Sequence, residues 1–379
     1  MSGVEGEAGR ESAMLGTFDV GIVGAGVVGL MTAFRLSKLG LKLAVFEKES
    51  GPGLGVTKGQ ASVVHVVQLP FGSLKSRLAR LGNKQYDALC SELGVPLVRL
   101  PALLVVQGVW RTPVLLGAYL YLWWSLHSDF SLRVARGKTL RSLEPCLSDS
   151  ISAGVVVEGY GVVDWQALVN RLSDRLGREG TSFFFDTEIT GSRTEGPRVI
   201  LETREGEYAC SYAVNAAGLY SDEVAGRMGL DYGDHVPGLG AMAEFSDLPV
   251  KNIVAPLPIR PAKRTKGGAI IPTTQGTVIF GPTLREIKSK EASELEEEDL
   301  RVLTGKFGPL LKCQGKLIRM FSGVRPISPT GDFVIEYSAE KRVVSLIGIE
   351  SPGLTASPAI ADRVIDTLVK AGLTERFVE

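Results

Sequence analysis

The chain has 379 residues, of which 44% are hydrophobic and 22% are charged, an ordinary balance for a globular protein of about two domains. Its formal net charge is zero, so no basic surface indicates nucleic acid as a partner. Four cysteines form no C-x-x-C pair, which argues against a clustered zinc site or a dithiol motif and indicates a reducing compartment, with one long-range disulfide left open. Residues 1–16 are polar and glycine-rich, which predicts a disordered tail and not a signal peptide.

The first predicted unit is a strand, a glycine turn and a helix. Val20–Val23 read as a short buried strand, and Gly24, Gly26 and Gly29 follow with the spacing G-x-G-x-x-G. Gly24 permits a tight turn, Gly26 lets a pyrophosphate approach the backbone, and Gly29 lets the helix pack close to the strand. The N–H groups at the helix N-terminus attract phosphate, so this unit predicts a dinucleotide site.

A second strand, Lys42–Glu47, ends on an acid that completes the pattern. Glu47 follows Gly24 by 23 residues (47 − 24), where its carboxylate can accept hydrogen bonds from ribose hydroxyls. The acid argues against a 2′-phosphate and therefore against NADP. This unit alone leaves FAD and NAD open.

The next elements are a long helix and an apolar segment. Ser73 can cap a helix that runs to about Leu93, where Gly94 supplies a stop signal. Residues 114–124 carry no charge and end in aromatic side chains. They predict a buried helix of the second domain. The alternative is a peripheral membrane contact, because Tyr and Trp suit a lipid interface and the segment is too short to span a bilayer.

The remaining elements alternate between strands and helices. A helix is predicted over Trp165–Leu176, and Ser293 with Glu296 has the spacing of a capping box that opens an acidic helix. The last helix is predicted over Ala359–Lys370. Strand-like runs lie at 182–185, 189–193, 198–203, 207–214, within 236–285 and at 343–347.

These residues together resemble the D-amino-acid-oxidase superfamily of FAD-dependent oxidoreductases. The chain is most similar to the FAD-dependent glycerol-3-phosphate dehydrogenases and oxidases, and it is also similar to the L-2-hydroxyglutarate dehydrogenases. The motifs that carry the resemblance, besides the glycine turn, are Gln60–His65, Ala216–Gly218, Ile271–Thr273, Gly281–Thr283, Gly323–Pro326, Asp332–Ile335 and Ser351–Thr355.

Two segments depart from the family pattern. Gln60, Ala61 and Ser62 stand where the family usually has asparagine, serine and glycine. Residues 239–242 read Leu-Gly-Ala-Met where the family tends to carry a basic residue, glycine, an acid and tyrosine. Both departures concern the substrate more than the cofactor.

The resemblance implies an α/β and α+β architecture, with a Rossmann-like FAD-binding domain and a second, mainly antiparallel-sheet substrate domain. The implied FAD-binding domain is discontinuous and comprises residues 17–85, 150–225 and 330–379. Residues 86–149 and 226–329 would form the substrate domain. The cofactor-binding residues expected from the glycine turn and the resemblance are Gly24, Gly26, Val27, Val28, Glu47, Lys48, Ser62, Ile189, Ala216, Ala217, Gly218, Gly323, Gly348, Gly353, Leu354 and Thr355.

The implied reaction is the oxidation of glycerol 3-phosphate to dihydroxyacetone phosphate by hydride transfer to flavin N5. His65 is the expected base, because a neutral imidazole is available near pH 7; a histidine hydrogen-bonded to backbone is the alternative. Arg325 is the expected clamp for the substrate anion, with an interdomain ion pair as its alternative. Lys266 could serve the substrate or the flavin, although a surface lysine is the simpler interpretation.

Other functions stay open at this point. The same chemistry would suit a dehydrogenase of a 2-hydroxy acid such as L-2-hydroxyglutarate, or of an amino acid. A different class is a flavoprotein subunit that passes electrons within a complex. The expected partners are a small anionic substrate and a quinone or another electron acceptor. The expected location is the cytoplasm, with peripheral contact to the inner face of the cell membrane left open.

Overall fold

The computed structural model describes residues 13–257 and 267–374 of the chain. In chain order, the strands are β1 (Met14–Val23), β2 (Leu43–Phe46), β3 (Val63–Val64), β4 (Leu97–Arg99), β5 (Ala102–Gln107), β6 (Leu132–Arg136), β7 (Ile151–Val157), β8 (Gly161–Val163), β9 (Ser182–Phe184), β10 (Gly191–Glu195), β11 (Arg198–Glu202), β12 (Glu207–Asn215), β13 (Val236–Ser246), β14 (Ile253–Pro256), β15 (Ala269–Pro272), β16 (Val278–Gly281), β17 (Arg285–Glu286), β18 (Lys316–Ile327), β19 (Val334–Ser338) and β20 (Val343–Ile347). The helices are α1 (Val27–Ser37), α2 (Leu74–Asn83), α3 (Tyr86–Leu93), α4 (Thr112–Leu126), α5 (Gly137–Leu143), α6 (Trp165–Arg178), α7 (Ser221–Arg227), α8 (Glu297–Phe307) and α9 (Gly353–Lys370).

The first sheet carries the predicted Rossmann-like unit. Its parallel strands follow the order β9-β2-β1-β12-β20, and β10, β11 and β19 extend it antiparallel. Helices α1, α6 and α9 bury their apolar sides in one core with these strands. Because the central strands are parallel, the turns that follow β1, β2 and β12 meet at one edge of the sheet.

The second sheet has nine strands and is mainly antiparallel. Its strands follow the order β17-β13-β16-β15-β14-β5-β7-β6, and β18 pairs with β13 along nearly its whole length. Strands β5 and β14 run parallel, while the other pairs are antiparallel. A small third sheet, β3-β8-β4, lies outside both. The fold class predicted from the sequence is confirmed.

Three expected boundaries differ from the structure. Strand β7 lies between β5 and β6 in the second sheet, although the segment from residue 150 was expected in the FAD-binding domain. Helix α3 packs into the core of the first sheet through Tyr86 and Leu89, although residues 86–149 were expected in the substrate domain. Residues 14–16, expected within a disordered tail over 1–16, belong instead to β1, in which Met14 pairs with Glu207; residues 1–12 lie outside the described part of the chain.

Three helix limits also differ. Ser73 caps α2 as predicted, since its Oγ accepts a hydrogen bond from the Ser76 N–H, but the single helix expected to Leu93 is two helices separated after Asn83. The capping box at α8 is formed by Glu296 and Asp299, three residues later than predicted. Helix α9 begins at Gly353 and continues through Pro358.

Helix α4 is the largest departure from expectation. Only Leu115, Leu122 and Leu126 are buried, because the helix contacts β6 and β7 with one side alone. The expectation of a buried helix over 114–124 is therefore wrong. Among the described residues, no helix is long and apolar enough to cross a membrane.

The structure joins two of the four cysteines. Cys146, which precedes β7, is bonded to Cys313, which precedes β18, with a Cα–Cα distance of 5.6 Å. Cys90 and Cys210 are buried free thiols, and burial raises the pKa of Cys90 to about 11. The long-range disulfide that the sequence left open is the arrangement that the structure shows.

Asp332, part of one family motif, stabilises the start of α2. Its carboxylate accepts hydrogen bonds from the N–H groups of Leu74 (2.6 Å) and Lys75 (2.9 Å). We expect Asp332→Ala to lower the free energy of unfolding by about 1–2 kcal/mol, because two N–H groups of the first helical turn lose their acceptor. Urea denaturation of the FAD-free protein measures this. Asp366→Ala, at an exposed position of α9, is the control and should change little; an equal loss in both would contradict the role.

Candidate active site

A cavity of about 1640 Å³ is lined by residues from both large sheets. It exceeds the ~300–1,000 Å³ typical of a site for one small ligand, so it has room for a dinucleotide together with a substrate. The glycine turn, the loop after β2 and the turn after β12 line one part. Residues of β15, β16 and β18 line another part.

Two of the three glycines in the turn after β1 have no space for a side chain. Gly24 has a φ of +107°, and a Cβ there would lie 2.5 Å from the carbonyl oxygen of Ala216. A Cβ on Gly29 would lie 2.0 Å from the carbonyl oxygen of Gly24. Gly26 differs, because a Cβ there would meet only the Thr57 Oγ1 atom, at 3.3 Å. The space beside Gly26 opens into the cavity, as close approach of a pyrophosphate requires.

Glu47 lies at the end of β2 and lines the cavity. Its carboxylate accepts hydrogen bonds from the N–H groups of Ala25 (2.7 Å) and Glu49 (3.0 Å). Burial raises the pKa of Glu47, and these two N–H donors act against that shift. The acid therefore holds the glycine turn in place as well as facing the position expected for a ribose.

Thr57 and Gly59 are functional neighbours that the sequence did not single out. The Thr57 Oγ1 atom accepts a hydrogen bond from the N–H of Val27 (3.1 Å), the first residue of α1. Gly59 touches Gly323 so closely that a Cβ on Gly323 would lie 2.1 Å from the Gly59 carbonyl oxygen. The glycine-rich composition of residues 51–59 was the signal available for this loop, but it named no partner.

Most of the predicted cofactor-binding residues meet in this cavity. Those that line it are Gly24, Gly26, Val27, Val28, Glu47, Lys48, Ser62, Ile189, Ala216, Ala217, Gly218, Gly323, Gly353 and Leu354. Gly348 and Thr355 do not line it. The N–H of Gly348 donates to the Nε2 atom of buried His235 (3.1 Å), and burial lowers the pKa of that histidine. His235 therefore accepts at Nε2 as a neutral ring.

His65 lines the cavity, and its backbone is fixed by three elements. Its N–H donates to the Thr355 Oγ1 atom (3.0 Å), and its carbonyl accepts from the Asn83 side chain (2.9 Å). The Thr355 hydroxyl in turn donates to the carbonyl of Val63 (3.1 Å). Thr355, expected to bind the cofactor, instead positions the segment that carries His65. The imidazole lies edge-on to Tyr160.

Arg325 projects from β18 into the same cavity. Burial lowers its pKa, and the negative charge of Glu350 acts against that shift. Its Nη1 atom is buried and has no hydrogen-bond partner within residues 13–257 and 267–374. The Nε2 atom of Gln60, which also lines the cavity, is likewise buried without a hydrogen-bond partner within those ranges. Because neither donor has an acceptor among the described residues, we expect a bound group to supply the acceptors.

Lys75 and Glu350 form a buried ion pair at the cavity that the sequence did not indicate. Their side chains lie 3.2 Å apart with 8% and 9% exposure, and the ammonium also donates to the carbonyl of Gly331 (2.6 Å). In the sequence, Lys75 is followed by the polar residues Ser76 and Arg77 of the same helix, as is common on a protein surface. No local pattern therefore indicated that Lys75 is buried. Lys266, the remaining expected site residue, lies outside the described residues.

The residues present fit FAD. The glycine turn at Gly26, which lines the cavity, and the N-terminus of α1 would hold the pyrophosphate, and Glu47 would accept a hydrogen bond from the ribose. The small residues Ala216, Ala217 and Gly218 leave room for a flat ring along the cavity. The donors of Gln60 and Arg325 that have no acceptor in the described part of the chain lie in the same cavity, where they are available to a bound cofactor or substrate.

The comparison with known proteins agrees with this geometry. Residues 19–367 match the family described as FAD dependent oxidoreductase (DAO). The chain belongs to this family, and it is a FAD-dependent oxidoreductase.

Two kinds of relatives are found among curated proteins. A glycerol 3-phosphate dehydrogenase from Caloramator mitchellensis is 30% identical over 93% of this chain and 74% of its own length. A glycerol 3-phosphate oxidase from Mycoplasma pneumoniae is 27% identical over 93% and 94%. A mitochondrial L-2-hydroxyglutarate dehydrogenase from Arabidopsis thaliana is 27% identical over 93% and 83%.

The fold has close structural counterparts. The FAD-bound, dithionite-reduced L-α-glycerophosphate oxidase from Mycoplasma pneumoniae superimposes with a TM-score of 0.86 at 24% identity, over 95% of this chain and 96% of that chain. A glycine oxidase from Geobacillus kaustophilus gives a TM-score of 0.83 at 21% identity, over 96% of each chain. At these identities, both similarities concern the fold.

The glycine turn provides a matched pair of substitutions. We expect Gly26→Ala to fold normally but to bind FAD about tenfold more weakly or worse, because its Cβ occupies the space for the pyrophosphate. We expect Gly29→Ala to impair folding itself, since its Cβ meets the Gly24 carbonyl oxygen. FAD content after purification and thermal unfolding of the FAD-free proteins separate the two effects. A Gly26→Ala protein with full FAD content would contradict this assignment of the turn.

Proposed function

We propose that this protein oxidises glycerol 3-phosphate to dihydroxyacetone phosphate. The observation that carries the proposal is the buried Arg325 Nη1 donor in the cavity, which has no acceptor among the described residues. A guanidinium binds phosphate or carboxylate through two parallel hydrogen bonds. The dehydrogenase and oxidase relatives named for glycerol 3-phosphate support phosphate as the anion.

Each residue has a defined part in the proposed reaction. FAD, when bound, supplies the acceptor for the hydride that leaves the substrate carbon. Arg325 binds the phosphate and thereby orients the secondary alcohol. His65 removes the hydroxyl proton as the C=O bond forms, and Thr355 holds the backbone of His65 in position. Residues of both sheets line the cavity in which the reacting atoms would lie, which limits their contact with water.

A second candidate is the oxidation of a 2-hydroxy acid, in which Arg325 would bind a carboxylate. The L-2-hydroxyglutarate dehydrogenase relative favours it among the alternatives, and an amino acid would place a carboxylate at the same position. An electron-passing subunit without its own substrate is the remaining alternative. We further propose a quinone or another electron acceptor, and a cytoplasmic location with peripheral contact to the inner face of the cell membrane.

The substrate is tested by anaerobic reduction of the bound flavin, observed as loss of its visible absorbance. The panel is glycerol 3-phosphate, L-2-hydroxyglutarate, L-lactate and amino acids. We expect rapid bleaching by glycerol 3-phosphate. Bleaching by L-2-hydroxyglutarate alone would establish the second candidate instead, and no bleaching by any member, with a copurifying partner, would favour the electron-passing subunit.

Arg325→Lys tests the anion site. We expect the concentration for half-maximal flavin reduction to rise about ten- to a hundredfold, because a charge-assisted contact worth about 1.5–3 kcal/mol is weakened, while the rate at saturation changes less. Arg319→Lys is the matched control, because Arg319 lies on the same strand, is exposed and pairs with Glu244. An unchanged half-saturation concentration in Arg325→Lys would remove Arg325 from the substrate site.

A further inference from the structure

Helix α4 exposes an apolar surface that nothing in the described chain covers. Of the seventeen large apolar side chains exposed in the described residues, seven lie between residues 110 and 124. Trp110 and Trp124 have 73% and 74% of their surface exposed, and Leu120 has 61%. We call this set the α4 surface; its members are Trp110, Val114, Leu116, Leu120, Tyr121, Trp123 and Trp124.

Apart from Trp110, which precedes the helix, the members of the α4 surface lie on one face of α4. Leu116, Leu120 and Trp123 recur at intervals of four and three residues, so they lie on one side of an α-helix. The buried residues Leu115 and Leu122 lie on the opposite side, against the second sheet. A helix that is apolar on both sides is buried, or it borders a membrane. Here one side is exposed, so burial against residues 13–257 and 267–374 does not explain the composition of the helix.

The same helix forms part of the cavity wall. Ala118, Tyr121 and Leu122 line the cavity, and Tyr121 is also exposed. The ring centroids of Tyr121 and Phe71 lie 5.5 Å apart. Leu69, in the same loop as Phe71, also lines the cavity and has 46% of its surface exposed. The α4 surface therefore adjoins the mouth of the active-site cavity at Tyr121, which belongs to both.

Charges border the α4 surface without entering it. Residues 112–126 contain no Asp, Glu, Lys, Arg or His. At the C-terminal end of α4, Lys84 (2.6 Å) and Arg80 (3.7 Å) share the single acid Asp129, which leaves an excess of positive charge there. Arg111 precedes the helix. An apolar face with Trp and Tyr, bordered by basic side chains, is the pattern that binds an interface with anionic headgroups.

We propose that the α4 surface docks on a lipid bilayer that contains anionic lipid, with the cavity mouth held at the headgroup level. The proposal specifies the surface for the peripheral contact named above and rests on that part of the proposed function, but not on the identity of the substrate. At about 1.5 Å per residue the 15-residue helix is too short to span the ~30 Å core, so it lies in the plane of the interface. An apolar electron acceptor would then enter the cavity from the lipid beside Tyr121.

The test is cosedimentation of the holoenzyme with vesicles, one set of phosphatidylcholine alone and one set mixed with phosphatidylglycerol. We expect binding to both, stronger with the anionic lipid, and a blue shift of tryptophan fluorescence on binding. A variant with Trp123→Ser and Trp124→Ser should lose at least tenfold in binding. Lys84→Glu should weaken binding several-fold with the anionic vesicles alone. Val302→Ser with Ile318→Ser, exposed apolar positions outside the α4 surface, is the matched control and should bind normally.

Several results would overturn the proposal. Wild-type protein that stays in the supernatant with both vesicle types contradicts it. A stable dimer of the wild type, detected by light scattering and dissociated by Trp123→Ser with Trp124→Ser, also contradicts it. A second copy of the chain would then cover the α4 surface. If the tryptophan pair lowers the thermal midpoint or releases FAD, the single variant Trp124→Ser decides, and normal binding by it contradicts the proposal. Flavin reduction by substrate, measured without vesicles, is independent of every one of these results.

Discussion

The active site depends on a place where three backbone segments meet with no room for a side chain. A Cβ on Gly29 would lie 2.0 Å from the Gly24 carbonyl, and a Cβ on Gly24 would lie 2.5 Å from the Ala216 carbonyl. Because β1, β2 and β12 are parallel neighbours, this contact lies where their carboxyl ends meet. The helix N-terminus, the acid of β2 and the small residues after β12 are thereby brought to one edge of the sheet.

A second close approach joins the two sheets at the cavity. Gly59, from the loop after β2, touches Gly323 of β18 so tightly that neither position has space for a Cβ. Side chains alternate along a strand, so positions 323 and 325 share a face. The contact between Gly59 and Gly323, which holds β18 against the loop after β2, therefore also directs Arg325 into the cavity. The same strand therefore positions the cofactor part of the cavity and the proposed anion-binding part.

Three charged side chains, Lys75, Glu350 and Arg325, are buried at the cavity, where desolvation makes a charge unfavourable. The Lys75–Glu350 pair is almost fully buried, and desolvation of such a pair offsets most of the attraction between its charges. Glu350 also opposes the effect of burial on Arg325. A buried cation whose donor has no acceptor among the described residues is unfavourable by itself, and an anion that binds to it offsets this cost. This agrees with a substrate that carries a phosphate or a carboxylate.

The sequence by itself determined the parts of this protein whose constraints are local. The glycine spacing, the strand on each side and Glu47 all lie within about thirty residues, and each follows from backbone geometry or from phosphate and ribose chemistry. His65 and Arg325 came from the resemblance of several ordered motifs. Only the tertiary structure decided the roles of Thr57, Thr355 and Lys75, because their partners are 30 to 290 residues away. It also decided which side of α4 is covered: the helix is apolar all round, so no periodic pattern indicated that its contact with β6 and β7 would leave half of it exposed.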